Sequence, residues 1–509
     1  MAIRFGCACG ARLTAKDELA GRLCGCPHCG ATVRIEGTPL PPPVRRPVWP
    51  VAAAAAGGLV VVVAALLVFG GGAPAPAPAP AKGDPFSGPL PPRPPPAPPA
   101  LMYETEDADA AVFYRARMIK LPQLSPDVET LATADPAQVK AWLQRAEPLL
   151  REAARASRAR RCEWTYKELT FGTELPHVAP AIKTAKALSA RIRIRAEEGK
   201  VEEALDDVLV ACRIGSDYLL DRMLITHLVG VVVIGVATEA FRSSLAVRDL
   251  DPALLRRFEA HLKRLADRWP PFERSMECER DMMTASVDMM IAEGLTRMAR
   301  QFNPGDTTVL DELLKGDRAL VRAVIGKRLS EHWDLLLRDA REPLHSSVRH
   351  TDLEKIKAEA AKELEALKAA KPIDRDRGLR LMADVFFQLL APAADRAKPT
   401  LAIGRMSIEG MRTWCLLELH RGARGAYPRA LSEVASPADA FDGGTLKYVD
   451  ASKPGRAAFV LTSAGPKGDW RERAALVADA CQFDIKRVTA AAQPLDPAFN
   501  CTFWAVRPR

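Results

Sequence analysis

Aromatic residues are scarce in this chain: Phe, Trp and Tyr together make up 6% of its 509 residues. Proteins that bind nucleic acid concentrate positive charge and interleave it with aromatic rings. Here the net charge of +9 is spread thinly, with one local run at Arg151, Arg155, Arg158, Arg160 and Arg161. A solvated helix face accounts for that run, so nucleic acid is not an expected partner. Reaction motifs are missing as well. There is no His-Glu-x-x-His pair, no Walker loop, no dinucleotide-binding fingerprint and no Gly-x-Ser-x-Gly elbow. These absences remove the commonest signatures of zinc peptidases, nucleotide enzymes and serine hydrolases, and no small-molecule substrate is indicated. His345 and His350 lie near Asp352 in "EPLHSSVRHTD", which reads as a polar connection between helices. Charge is absent altogether from Val48 to Phe69, a run of 22 residues.

What the chain does have begins with cysteine. Cys7 and Cys9 form one close pair, Cys26 and Cys29 a second, with sixteen residues between them. Four thiolates offered from two short turns suit a tetrahedral zinc ion, and a site filled by four protein ligands is structural rather than catalytic. Gly10 and Gly30 follow the pairs, and Pro27 stiffens the second turn. Cys24 is an alternative to Cys26, but Cys26-Pro-His-Cys29 has the two-residue gap common in zinc knuckles. Iron is the competing metal for the same four sulfurs. A segment this short has little core to bury, so folding and metal binding are expected to be one event.

The uncharged run after this ribbon would extend roughly 33 Å as a helix, enough for the ~30 Å hydrocarbon core of a bilayer. Seven basic and three acidic residues precede it. Beyond it, up to Glu104, the only charges are Lys82, Asp84 and Arg93. The bias of Lys and Arg predicts a cytoplasmic N-terminus and an exported remainder, a single-pass protein of the inner membrane. A reducing cytosol also suits a zinc–thiolate cluster.

Gly70 to Ala100 is rich in Ala-Pro and reads as an extended linker reaching roughly 90 Å at ~3.1 Å per residue. From 101 to 398 the pattern is helical. Val139, Trp142, Leu143, Ala146, Leu149 and Leu150 repeat at three and four, the spacing of one buried helix face. "ALSARIRIRAEEGKVEEALDDVLVACRIG" reads as two helices turning at Gly199, with acids in the first turn of the second. Leu353 to Leu367 forms an amphipathic pattern with charged sides. Leu224 to Ala237, fourteen residues with His227 inside, is too short for a bilayer and reads as a core helix. Met282, Met283, Met289 and Met290 read as a pliable helix contact.

From 400 to 509 the character changes. A helix ends in the glycines of Gly422 to Gly425, and "FDGGTLKYV" and "AAFVLTSAGPKGD" follow as two short strands expected to pack on it. Six further cysteines, Cys162, Cys212, Cys278, Cys415, Cys481 and Cys501, lie beyond the span. Fifteen pairings are possible if export oxidises them, and Cys481 with Cys501 is the nearest pair.

Three motifs of this tail, Tyr427-Pro428, Asp439-Ala-Phe441-Asp-Gly443 and Ser463-Ala-Gly465-Pro466-Lys467-Gly468, resemble the globular domain of type II secretion major pseudopilins of the G class. That resemblance implies a long helix packed on a small antiparallel sheet. It also implies a nearby calcium loop, in which Lys467 stands where an acid is expected, so the fold is carried over and the calcium is not. The stretch "FGCACGARL…LAGR…CPHCG" resembles the zinc ribbons of uncharacterised bacterial membrane proteins, and the helical stretch from Arg160 to Val208 resembles a region of the same proteins. Neither implies an activity.

The expected architecture is therefore multidomain: a small β zinc ribbon (1–40), one transmembrane helix (48–69), a Pro-rich linker (70–100), a mainly helical domain with an αα-hairpin (101–398) and a pseudopilin-like α+β domain (400–509). The expected role is protein–protein interaction in the cell envelope without catalysis. Two alternatives stand beside it: an exported hydrolase acting on protein or wall polymer, and a cytoplasmic sensor or nucleic-acid contact made by the ribbon.

Overall fold

The computed structural model describes residues 2–6, 9, 12–16, 23–25, 32–34, 106–116, 136–166, 169–170, 173–293, 317–344, 352–369, 374–435, 437–452, 456–464 and 502–508. The expected membrane span at 48–69 and the linker at 70–100 lie outside these residues. The chain divides into two compact units, Met1–Ala55 and Ala56–Arg509.

The first unit contains two antiparallel pairs. β1 (Ala2–Gly6) pairs with β2 (Arg12–Lys16), with Phe5 opposite Leu13. β3 (Leu23–Gly25) pairs with β4 (Thr32–Arg34), with Cys24 opposite Val33.

The second unit is mostly helical. A short parallel pair opens it, β5 (Glu106–Asp109) with β6 (Ala159–Arg161). The sequence pattern gave no sign of it, because "EDAD" and "ARR" lack apolar alternation. Between these strands lie α1 (Ala110–Ala116) and α2 (Pro136–Ala156). The buried face of α2 includes Val139, Trp142, Leu143, Ala146 and Leu150, as its spacing predicts, while Leu149 of the same expected face is only half-buried.

The expected helical hairpin is α3 (Val178–Glu197) and α4 (Val201–Leu219), turning at Gly199 with φ of 76°. Glu202 and Glu203 occupy the first turn of α4, where the helix dipole favours them. α5 (Leu224–Ser244) then packs on both. α4 and α5 meet backbone to backbone: a Cβ on Gly215 would lie 2.7 Å from the Gly230 carbonyl oxygen. Among the described residues α5 is the one helix long and apolar enough to cross a membrane, with 21 residues and a mean hydropathy of 2.0 over its most apolar window. The fourteen-residue estimate was short, because the helix continues through polar residues to Ser244. Burial covers 67% of that window.

α6 (Pro252–Asp267) begins at Asp251, whose carboxylate accepts the Leu254 N–H at 3.2 Å, with Pro252 just inside the helix. α7 (Glu273–Glu293), α8 (Arg318–Arg341) and α9 (Leu353–Ala369) follow. α10 runs fifty residues, Arg375–Arg424, and ends on Gly425 in the left-handed region with φ of 76°, a conformation that favours glycine. The boundary expected between 398 and 400 falls inside this helix.

Two apolar clusters are strung along α10. One gathers α1 to α6, the half of α10 from Leu401 onward, and the C-terminal sheet. The other gathers α7, α8 and the half of α10 up to Ala397, with Leu224 of α5. Each fully buried Leu or Phe in such a cluster is worth about 1.5–3 kcal/mol relative to exposure.

The C-terminal sheet has three antiparallel strands: β7 (Lys447–Asp450), β8 (Arg456–Thr462) and β9 (Thr502–Pro508), in that order. The first two match the expected runs, and β9 is an addition. Phe503 of β9 lies directly on α10 at Gly410, where a Cβ would come within 2.0 Å of its ring.

Candidate functional site

Of the expected zinc ligands, Cys9 is described and exposed. Cys7, Cys26 and Cys29 lie outside the described residues. In sequence, Cys7 and Cys9 lie between β1 and β2, and Cys26 and Cys29 between β3 and β4. Cys24 sits instead on β3 itself. Among the described residues no three His, Cys, Asp or Glu side chains form a metal-holding group.

A cluster of titratable groups lies elsewhere, where residues 159–166 and His177 pack on α4 and on the corner leading to α5. Asp217 of α4 is its centre and is fully buried. Its carboxylate accepts the Tyr114 hydroxyl at 3.0 Å and Arg213 Nε at 2.9 Å, with Arg268 at 3.8 Å. Its backbone carbonyl accepts Trp164 Nε1 at 2.9 Å. Burial raises the Asp217 carboxyl above its usual range, and Arg213 and Arg268 oppose that rise.

One turn later, Asp221 accepts a hydrogen bond from the Tyr166 hydroxyl, and burial raises its carboxyl too. Tyr114, Trp164, His177 and Tyr218 form a continuous ring cluster, with Trp164 stacked on His177 at 4.8 Å. Arg115 lies over Trp164 at 5.5 Å and over Tyr166 at 5.0 Å. Burial, helped by Arg115, pushes His177 down to about 4. Cys162, beside Asp217, has its thiol raised by burial and by the acid, the opposite of what a nucleophilic cysteine needs. Chemically the arrangement pins an irregular segment to α4 through hydrogen bonds and ring contacts, while Nη2 of Arg115 and Nε2 of His177 are buried with no hydrogen-bond partner among the described residues.

Sequence reasoning missed this cluster. A signal was present: in a chain poor in aromatics, Trp164 and Tyr166 stand close together beside Cys162. The acids carry no such mark, since Asp217 and Asp221 look like surface residues of a helix end.

Of the other expected residues, His227 is buried, with Ser275 Oγ 2.6 Å from its Nδ1. Met282 and Met283 are buried among apolar side chains; the side chains of Met289 and Met290 lie outside the described residues. So do His345 and His350, while Asp352 accepts the Lys355 N–H at the start of α9. Cys162, Cys212, Cys278 and Cys415 form no disulfide, and Cys212 and Cys415 are fully buried. Cys481 and Cys501 fall outside the described residues, as do Gly465, Pro466, Lys467 and Gly468.

In the tail, motif residues far apart in sequence come together. Asp439, 1% exposed, accepts Ser463 Oγ at 2.8 Å, the Ala464 N–H at 2.6 Å and the Phe441 N–H at 3.0 Å. Tyr427 is buried, its hydroxyl donating to Glu418 Oε1 of α10 at 2.7 Å and its ring meeting Phe459 edge-on at 4.8 Å. Tyr448 donates to the Pro428 carbonyl at 2.8 Å. A third feature is an open groove between α7 and α8, about 910 Å³, lined by Arg280, Arg318, Arg322 and Lys327 around Val287 and Trp333.

No family model, no curated protein and no solved structure matches this chain.

Proposed function

We propose that the chain is a single-pass protein of the inner membrane that assembles with other proteins of the envelope, beside secretion machinery, and carries out no reaction of its own. In this reading a cytoplasmic ribbon holds one structural zinc through Cys7, Cys9, Cys26 and Cys29, residues 48–69 anchor it, and the helical scaffold and pseudopilin-like tail are exported. One observation carries the reading. A fifty-residue helix ends at a glycine cap and packs its last turns on a small antiparallel sheet, and the loop between them is closed by Asp439 on Ser463. A long helix on a small antiparallel sheet is what the resemblance of the tail motifs implies, and this supports the reading.

Two measurements test it. Reporter fusions at Arg46 and Arg509 are expected to report cytoplasm and exported space respectively; the same compartment for both, or the reverse order, rejects the topology. Metal analysis of the purified full-length chain is expected to find one zinc, lost in Cys9→Ser and Cys26→Ser and kept in Cys24→Ser. Equal loss in Cys24→Ser would move the ligand from Cys26 to Cys24.

A further inference from the structure

The two apolar clusters of the helical domain meet at the start of α5. Leu224, its first residue, packs its side chain into the second cluster. Its N–H donates to Glu279 Oε1 of α7 at 2.9 Å. Met223, at the N-cap position, makes no side-chain capping bond, so a carboxylate from another helix caps α5 in its place. Glu279 is 7% exposed, and among the described residues the Leu224 N–H is the donor to its carboxylate.

Its charged surroundings are lopsided. From the corner before α5 comes Asp221, an acid, held by the Tyr166 hydroxyl. Arg222 of the same corner acts on Cys278, the neighbour of Glu279, and Asp281 of α7 does so with opposite sign. From α5 comes His227, engaged with Ser275 of α7, and Arg115 of α1 acts on Asp221. No described cation forms an ion pair with Glu279. A buried carboxylate facing another acid, with one amide donor, is held far more easily neutral than charged.

We propose that Glu279 is a proton-operated latch between the two halves of the helical domain: neutral, it holds the first turn of α5 against α7, and ionised beside Asp221 it loosens that contact. Burial first, and the Asp221 charge as well, lift the Glu279 carboxyl to about 7, with the Leu224 N–H pulling the other way. A carboxyl raised in the closed state above its ordinary 4.5 contributes fully below that ordinary value. The contribution is lost as pH rises toward the raised one. Between the two values opening releases one proton, so the open fraction grows up to about tenfold per pH unit and then levels off.

Amide exchange in the full-length chain tests this at one residue. Protection of the Leu224 N–H, corrected for intrinsic exchange, is expected to fall about fortyfold from pH 5 to pH 7 and to level off above. Ile192 of α3 serves as an internal reference with a flat profile. Glu279→Gln keeps the acceptor and removes the charge, so its Leu224 profile should be flat. Asp221→Asn should level off at a lower pH with a smaller total loss. A flat wild-type profile, a parallel loss at Ile192, or an unchanged slope in Glu279→Gln would each overturn the latch. If Glu279→Gln does not fold, the wild-type and Asp221→Asn profiles decide between the same outcomes.

Discussion

Two buried aspartates hold this molecule together at places where helices stop, and they are compensated in different ways. Asp217 sits inside α4 and meets a guanidinium, Arg213, together with the Tyr114 hydroxyl. Asp439 sits in the loop after α10 and meets a hydroxyl and two backbone amides, Ser463, Ala464 and Phe441. The first charge is balanced by another charge, brought from one turn earlier on the same helix. The second is balanced by dipoles, brought from a strand end more than twenty residues away. An ion pair tolerates imperfect geometry but leaves a stranded charge when one partner goes. A ring of dipoles needs the backbone itself in place, so it forms only when the loop and the sheet have both folded.

The largest effect should come from breaking the ionic side. Arg213→Met is expected to destabilise the fold by about 3 kcal/mol in chemical denaturation, because Asp217 is left buried with only the more distant Arg268, 3.8 Å away, as a cation. The sign of its pH dependence follows from burial, which already raises the Asp217 carboxyl. Without Arg213 that carboxyl rises further, so the penalty of the variant should be smaller at pH 5 than at pH 8. An equal penalty at both would mean that Arg213 acts through packing rather than charge.

On the dipolar side the apolar anchor should outweigh the polar one. Tyr427→Ala is expected to cost on the order of 3 kcal/mol, since the ring is buried against Phe459 and α10. Thermal melting of the full chain reads this, and a cost near zero would place the stability of the tail elsewhere. Ser463→Ala removes one donor to Asp439 while both amides stay, and is expected to cost about 1 kcal/mol. If Ser463→Ala proved as damaging as Arg213→Met, the contrast between the two aspartates would collapse.

The two sites also differed in how well the sequence announced them. Asp439 and Ser463 both lie in the motifs that carry the expected resemblance, so the resemblance marks both partners. The turn at Gly199 and the amphipathic face of α2 were legible because their signals lie within one or two turns of chain. Asp217 could not be read this way. Its partners Tyr114 and Trp164 are 103 and 53 residues distant, and no periodicity links an aspartate to a tyrosine across two helices. β9 was missed because it joins β8 from across a long intervening stretch. The length of α5 was underestimated because Thr238, Arg242 and Ser244 are buried polar residues, which interrupt an apolar run without ending a helix.

The long helix α10 also has a mechanical side. Pro392 and Pro399 both lie within its span, and proline has no N–H to bond the carbonyl four residues earlier. Two rungs of the helical ladder, at the carbonyls of Gln388 and Asp395, therefore lack their usual donors. Ala397 belongs to one apolar cluster and Leu401 to the other, so the weakened stretch coincides with the change of cluster. A rod that is weakest where it passes from one support to the next bends there before either support is disturbed. Pulled or twisted through its ends, this helix has its compliance built in around Pro399.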